Sequence, residues 1–109
     1  MADRDMVDRL ARALPEVEPK RHFHLDGYGV AGKSFATLEK GGERLMLSLP
    51  APEAEAIVAT HGDVAALLRR NDNPIGIAVT LADADESRLA EWLRSSWAFK
   101  APKALRDKE

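Results

Sequence analysis

Residues 27–49, GYGVAGKSFATLEKGGERLMLSL, constrain the chain more than any other stretch. Apolar residues alternate along it and glycines fall where the chain must reverse, so it reads as a three-strand antiparallel meander. Leu45, Leu47 and Leu49 share one face, because strand side chains alternate with period two. Gly41-Gly42 can supply the positive φ values of a tight hairpin, and Gly32-Lys33 is expected to do the same for the preceding turn. A sheet with one apolar face needs a cover. The remaining segments read as helices and a second hairpin that provide it.

Residues 3–14 carry Met6, Val7, Leu10 and Leu14 on one stripe, with Arg4, Asp5, Asp8, Arg9 and Arg12 mostly on the wet side. That is an amphipathic helix with Asp3 as its N-cap. Pro15 disfavours the α conformation at Leu14 and ends it, and residues 15–19 read as a rigid polar connector. Residues 20–26 are ambiguous: Phe23 and Leu25 alternate with His22 and His24, as in a short extended lead into the meander. After the meander, Pro50-Ala51-Pro52 stops the strand and Pro52 suits the first turn of a second helix, which His61-Gly62 would close.

Ile75, Ile77, Val79 and Leu81 alternate with Gly76, Ala78 and Thr80, the clearest single strand in the chain. Asn71-Asp72-Asn73-Pro74 is a turn signal, so residues 67–70 become the other arm of a second hairpin. The last helix opens at Asp83 or Asp85 and points Leu89, Trp92, Leu93 and Ser96 inward, with Trp97 at the margin, until Pro102 interrupts it. The order expected is α-β-β-β-α-β-β-α: an α+β fold with an antiparallel sheet of about five strands and flanking helices.

At 109 residues there is room for one core, so residues 1–109 are read as a single domain. Without cysteine there is no disulfide framework, thiolate metal site or cysteine nucleophile. The start, Met1-Ala2-Asp3-Arg4-Asp5, lacks the apolar core of a secretory leader, and no apolar run approaches the ~20 residues that span a bilayer. A cytoplasmic protein without a membrane partner is expected. The serines lie in no nucleophile elbow and no glycine-rich phosphate loop follows a strand, so no catalytic residues, enzyme activity or cofactor are implied.

Three pieces are similar to one family. They are the strand Gly32-Lys33-Ser34-Phe35-Ala36-Thr37-Leu38, the proline-rich entry to a short helix after the third strand, and the ending Trp97-Ala98-Phe99-Lys100-Ala101-Pro102-Lys103-Ala104-Leu105. With the length and element order, the chain resembles the MmcQ/YjbR family over nearly its whole extent. The resemblance implies a CyaY-like, frataxin-like fold, described in that family as a double wing, with DNA as the predicted partner. Family members often carry an aromatic in the strand that here reads Pro74-Ile75-Gly76-Ile77, so no stacking role is implied for this hairpin.

The candidate nucleic-acid contacts are Lys33, Arg69, Arg70, Lys100, Lys103 and Arg106: two hairpin tips and a basic end able to straddle phosphates. The net charge of -2 excludes a polycation, and ordinary solvated charges at turns explain the same residues equally simply. A protein-protein or small-ligand module, using the sheet face or a groove lined by Trp97 and Phe99, is a second reading. A third is metal binding. His22 and His24 have a ligand-compatible spacing that His61 or Asp26 would have to complete, and in a frataxin-like fold an acidic first helix, here Asp3, Asp5 and Asp8 with Glu16 and Glu18 beyond it, is the iron surface. No metal ligands are assigned from either pattern.

Overall fold

The computed structural model describes residues 2–22, 25–39 and 41–106. Helix α1 (Arg4–Arg12) is followed by strands β1 (Val17–His22), β2 (Leu25–Val30), β3 (Lys33–Leu38) and β4 (Arg44–Ser48). Helix α2 (Ala51–His61), strands β5 (Ala65–Arg70) and β6 (Asn73–Thr80), helix α3 (Glu86–Lys100) and the single turn α4 (Lys103–Arg106) complete it. All strands form one antiparallel sheet in the order β1-β2-β3-β4-β6-β5. The α+β class is as expected, but the sheet has six strands rather than five. The extra strand is β1, because Val17, Glu18 and Pro19 pair with β2 where a connector was expected. Pro19 is tolerated there because β1 is an edge strand.

Cross-strand partners share a face, so the register identifies the core directly. One row runs Tyr28, Ala36, Leu47, Ile77, Leu67 and a second runs Leu38, Leu45, Val79, Ala65. All are buried except the half-buried Leu67. Helix α2 packs on β5 and β6, α3 packs on β2, β3 and β4, and α1 packs against α3 and β1. The opposite face carries Gly27, Thr37, Met46, Ala78 and Ala66 and has no helix on it among the described residues. Leu89, Trp92, Leu93, Ser96 and Trp97 of α3 are all buried. Trp97 is therefore core, not groove, and its indole N–H donates to the Pro15 carbonyl at 3.0 Å.

The caps follow the local chemistry. Asp3 accepts from the Met6 N–H at the start of α1, and Asp85, rather than Asp83, accepts from Arg88 N–H at the start of α3. The β2–β3 turn is centred one residue earlier than expected, on Ala31 (φ 51°) and Gly32 (φ 79°), and Gly41 and Gly42 are positive as expected. Asn71 (φ 50°) and Asp72 (φ 69°) make the equivalent tight turn between β5 and β6. Gly62 ends α2 at φ -64°, so its left-handed freedom is unused.

Two irregularities flank β4. In the β2–β3 register Tyr28 pairs with Ala36 but Gly29 pairs with Ser34, which leaves Phe35 as a bulged residue turned into the core. In β5–β6, Leu68 pairs with Gly76 but Arg69 with Pro74, which leaves Ile75 bulged and 39% exposed. Strict alternation would have buried Ile75 with Ile77. Gly76 beside it is required by close approach: a Cβ there would lie 1.9 Å from the Leu47 carbonyl oxygen.

Ser96 closes this region. Its hydroxyl lies 2.7 Å from both the Phe35 and the Ser48 carbonyl oxygens, just past the last β3–β4 pair, Ala36 with Leu47. One buried hydroxyl proton is thus shared between two carbonyls at the place where β3 and β4 stop pairing. Ser96→Ala should cost about 1–3 kcal/mol, because those carbonyls keep their burial and lose their donor. Urea denaturation reads this as a lower midpoint at unchanged slope, and an unaltered midpoint would contradict the role given to the hydroxyl.

Candidate functional site

The strand directions gather several termini at one end of the sheet. β4 is antiparallel to both β3 and β6, so the start of β3, the end of β4, the start of β6 and the end of β5 lie together. Helix α2 begins there at Ala51, and Ser96 fixes the last turns of α3 there through the Ser48 carbonyl. Between them is a cleft of about 390 Å³ lined by Ser48, Leu49, Pro50, Ala51, Arg70, Pro74, Ile75, Phe99 and Lys100. Its apolar walls are Ile75 and Phe99, the latter 44% exposed; these are the large hydrophobic side chains that the described residues leave open. The Lys100 ammonium sits 4.8 Å from the Phe99 ring centroid, within cation–π range.

A second recess of about 290 Å³ adjoins the first, lined by Pro50, Glu53, Ser95, Ala98, Phe99 and Arg106. Phe99 and Pro50 belong to both, so Phe99 stands as the partition between two hollows. Past α3 the chain turns at Pro102, whose carbonyl accepts from the Leu105 and Arg106 N–H groups. Leu105 packs on the core and leaves Lys103 and Arg106 exposed.

All six basic residues expected from the sequence therefore sit at this end. Arg70 and Lys100 line the main cleft and Arg106 the adjoining recess, while Arg69 and Lys103 are exposed beside them. Lys33 is on the same sheet end but further away, three strand spacings from Arg70's strand, or roughly 14 Å. Among the described residues none of the six is paired with a carboxylate. The ion-paired arginines are elsewhere: Arg4 with Asp26, Arg9 with Glu86, Arg12 with Asp8, Arg44 with Glu39 and Arg88 with Asp85. A seventh cation went unread in the sequence. Lys20 lays its stem across Gly29 and its ammonium donates to the Gly32 carbonyl at 3.0 Å, which brings its charge to the β2–β3 turn.

The carboxylates of α1 face a different hollow, of about 310 Å³, against β1 and β2. Tyr28 donates to the Asp8 carboxylate at 2.8 Å, Arg12 donates to the same oxygen at 2.7 Å, and Arg4 bonds Asp26 at 2.8 Å. Asp3 is committed to its cap. Asp8 and Asp26 are thus paired with arginines, and Asp5 lines the hollow beside them. His61 packs edge-on against Trp92 with ring centroids 5.5 Å apart, and His24 lies outside the described residues. No group of three or more histidine, aspartate or glutamate side chains suited to a metal occurs among the described residues, and no helix there is long and apolar enough to cross a membrane.

Comparison with known proteins gives two findings. The YjbR family model matches residues 12–99, most of the chain. The crystal structure of Deinococcus radiodurans protein DR2400, whose domain is designated DUF419, superposes with a TM-score of 0.77 at 22% identity, covering 99% of this chain and 88% of that one. At that identity the likeness speaks for the fold. No curated protein matches the chain.

The Tyr28–Asp8–Arg12 cluster has a pH signature. The Arg12 guanidinium, and then the Tyr28 hydroxyl, hold the Asp8 carboxyl below its ordinary value; that stabilisation is present above about pH 4 and is lost as pH falls through the folded-state value. Burial first, and then the Asp8 carboxylate, push the Tyr28 phenol upward. Above about pH 10 the unfolded tyrosine ionises while the folded one resists, so stability is lost as pH rises. Tyr28→Phe should lower stability by about 1 kcal/mol near neutrality, with the gap to wild type narrowing below pH 4 and above pH 10. Denaturation midpoints across pH test this; a gap independent of pH would refute it.

Proposed function

The chain belongs to the YjbR family, and from that premise we propose that it is a small non-enzymatic binding protein that takes DNA by its phosphates at the cleft end of the sheet. The observation that carries the reading is the segregation of charge. Lys33, Arg69, Arg70, Lys103 and Arg106 have no carboxylate partner among the described residues, and Lys100 rests on a ring, while five other arginines are ion-paired away from the cleft. An unpaired arginine or lysine keeps its full attraction for a phosphate, whereas a paired one must first give up its partner. The net charge of -2 does not oppose this, because phosphate contacts depend on local placement.

Binding rather than catalysis suits the groups present. The titratable side chains of the main cleft are Arg70 and Lys100. Arginine stays protonated, so it holds an anion but does not shuttle a proton. Contacts of this type position a backbone without reading its bases. The chemistry would be electrostatic and sequence-independent.

The apolar pair Ile75 and Phe99 favours a second reading, a module for a protein segment or small ligand. The two part on salt. With four phosphate contacts on duplex DNA, log K should fall against log salt with a slope of about -3.6, a loss of roughly 150-fold between 50 and 200 mM. Fluorescence anisotropy of a labelled duplex measures this. The double substitution Arg69→Ala, Arg70→Ala should make the slope shallower by about 1.8. An unchanged slope would remove that hairpin from the interface, and absence of binding at 50 mM to duplex and single-stranded DNA alike would leave the second reading.

A further inference from the structure

The walls of the cleft are at odds with a site for phosphates alone. Water-filled, sequence-neutral phosphate contacts need cations and hydrogen-bond donors, and they gain nothing from open apolar side chains. Yet the exposed Ile75 and Phe99 stand among the unpaired cations, with Lys100 over the Phe99 ring and Arg70 across the hollow. The β6 bulge is what turns Ile75 outward, and Gly76, which admits no Cβ against the Leu47 carbonyl, sits beside it. Phe99 is held up by the preceding turn of α3, where Ser96 and Trp97 are both anchored. The two apolar side chains are thus presented by fixed backbone.

Resting on the phosphate-binding reading above, we infer that the site takes single-stranded rather than duplex DNA, with an unpaired base against Phe99 and Ile75 and the flanking phosphates on Arg70, Lys100 and Arg106. In a duplex the base faces are stacked inside, so Phe99 would meet only sugar and phosphate. A single strand can turn a base out, and every base offers a π face that an aromatic side chain accepts without regard to sequence. The placement of Phe99 between two hollows suits this: a base enters one recess while the backbone continues past Arg106 into the other. Interleaved cations and an aromatic platform are what single-strand grooves are built from. Charge complementarity commits the cleft to a polyanion, and the apolar walls commit it to one with exposed rings.

The test uses three labelled probes of equal length: a thymidine oligonucleotide, the same backbone with abasic residues, and a duplex. Anisotropy titrations at 50 mM salt compare wild type with Phe99→Ala and Phe99→Tyr; Phe99 is exposed, and circular dichroism checks that both variants fold. Wild type should favour the thymidine strand over the abasic strand. Phe99→Ala should weaken thymidine binding by about 5- to 150-fold, the range expected for one stacked base, and so close the gap between thymidine and abasic strands, because abasic and duplex binding lose only what the Lys100 ammonium loses with its ring. Phe99→Tyr should restore the preference. Equal affinity for thymidine and abasic strands, duplex binding as tight as single-strand binding, or no effect of Phe99→Ala would overturn the inference and leave the phosphate reading standing. No binding to any probe would overturn both.

Discussion

One hydroxyl, that of Ser96, joins the helical layer to the sheet at the point where β3 and β4 separate. It reaches the carbonyls of Phe35 and Ser48, which lie just beyond the last β3–β4 pair, and so supplies a buried donor where those two strands part. The bulge at Phe35 turns an aromatic into the core on one side and the bulge at Ile75 turns an aliphatic outward on the other. Through Ser96 and the Trp97 indole bonded to Pro15, the last turns of α3 are set against that point. The placement of the exposed Phe99 and the half-buried Lys100 therefore depends on two buried hydrogen-bonding side chains just before them.

The surface divides accordingly. At α1 and the opposite sheet end, arginines and carboxylates neutralise one another, and Tyr28 adds a buried phenol to the Asp8 carboxylate. Such exposed pairs add little to stability, but they remove charge from availability. At the cleft end the cations have no carboxylate partner among the described residues, although Glu53 lines the adjoining recess and Asp72 stands in the β5–β6 turn. A nearly neutral protein thus has one end with a different electrostatic character from the rest.

Much of the fold was legible in the residues, for reasons that also explain the misses. The meander, the second hairpin and the α3 stripe all obey a strict period, and period is what a sequence displays. Strand β1 was missed because an edge strand bearing Glu18, Pro19 and Lys20 has no apolar row to betray it. The bulges were invisible because each adds a residue without changing the composition around it, and so Ile75 read as core. The basic residues could be listed from turns and a proline-broken helix, but only the antiparallel directions of β3, β4, β5 and β6 place them at one end. Phe99 as a partition between two hollows had one signal in the sequence, an aromatic just past the inward stripe of α3.

The central claim is that one end of the sheet is the binding surface, and amide chemical-shift mapping tests it most directly. A single-stranded oligonucleotide titrated into isotopically labelled protein at low salt should move resonances of residues 31–34, 48–53, 69–76 and 95–106 together, leaving α1 and the Tyr28–Asp8 cluster still. Shifts confined to α1 and the β1–β2 hollow, or to the helix-free face around Met46 and Ala78, would place the surface elsewhere and contradict the account.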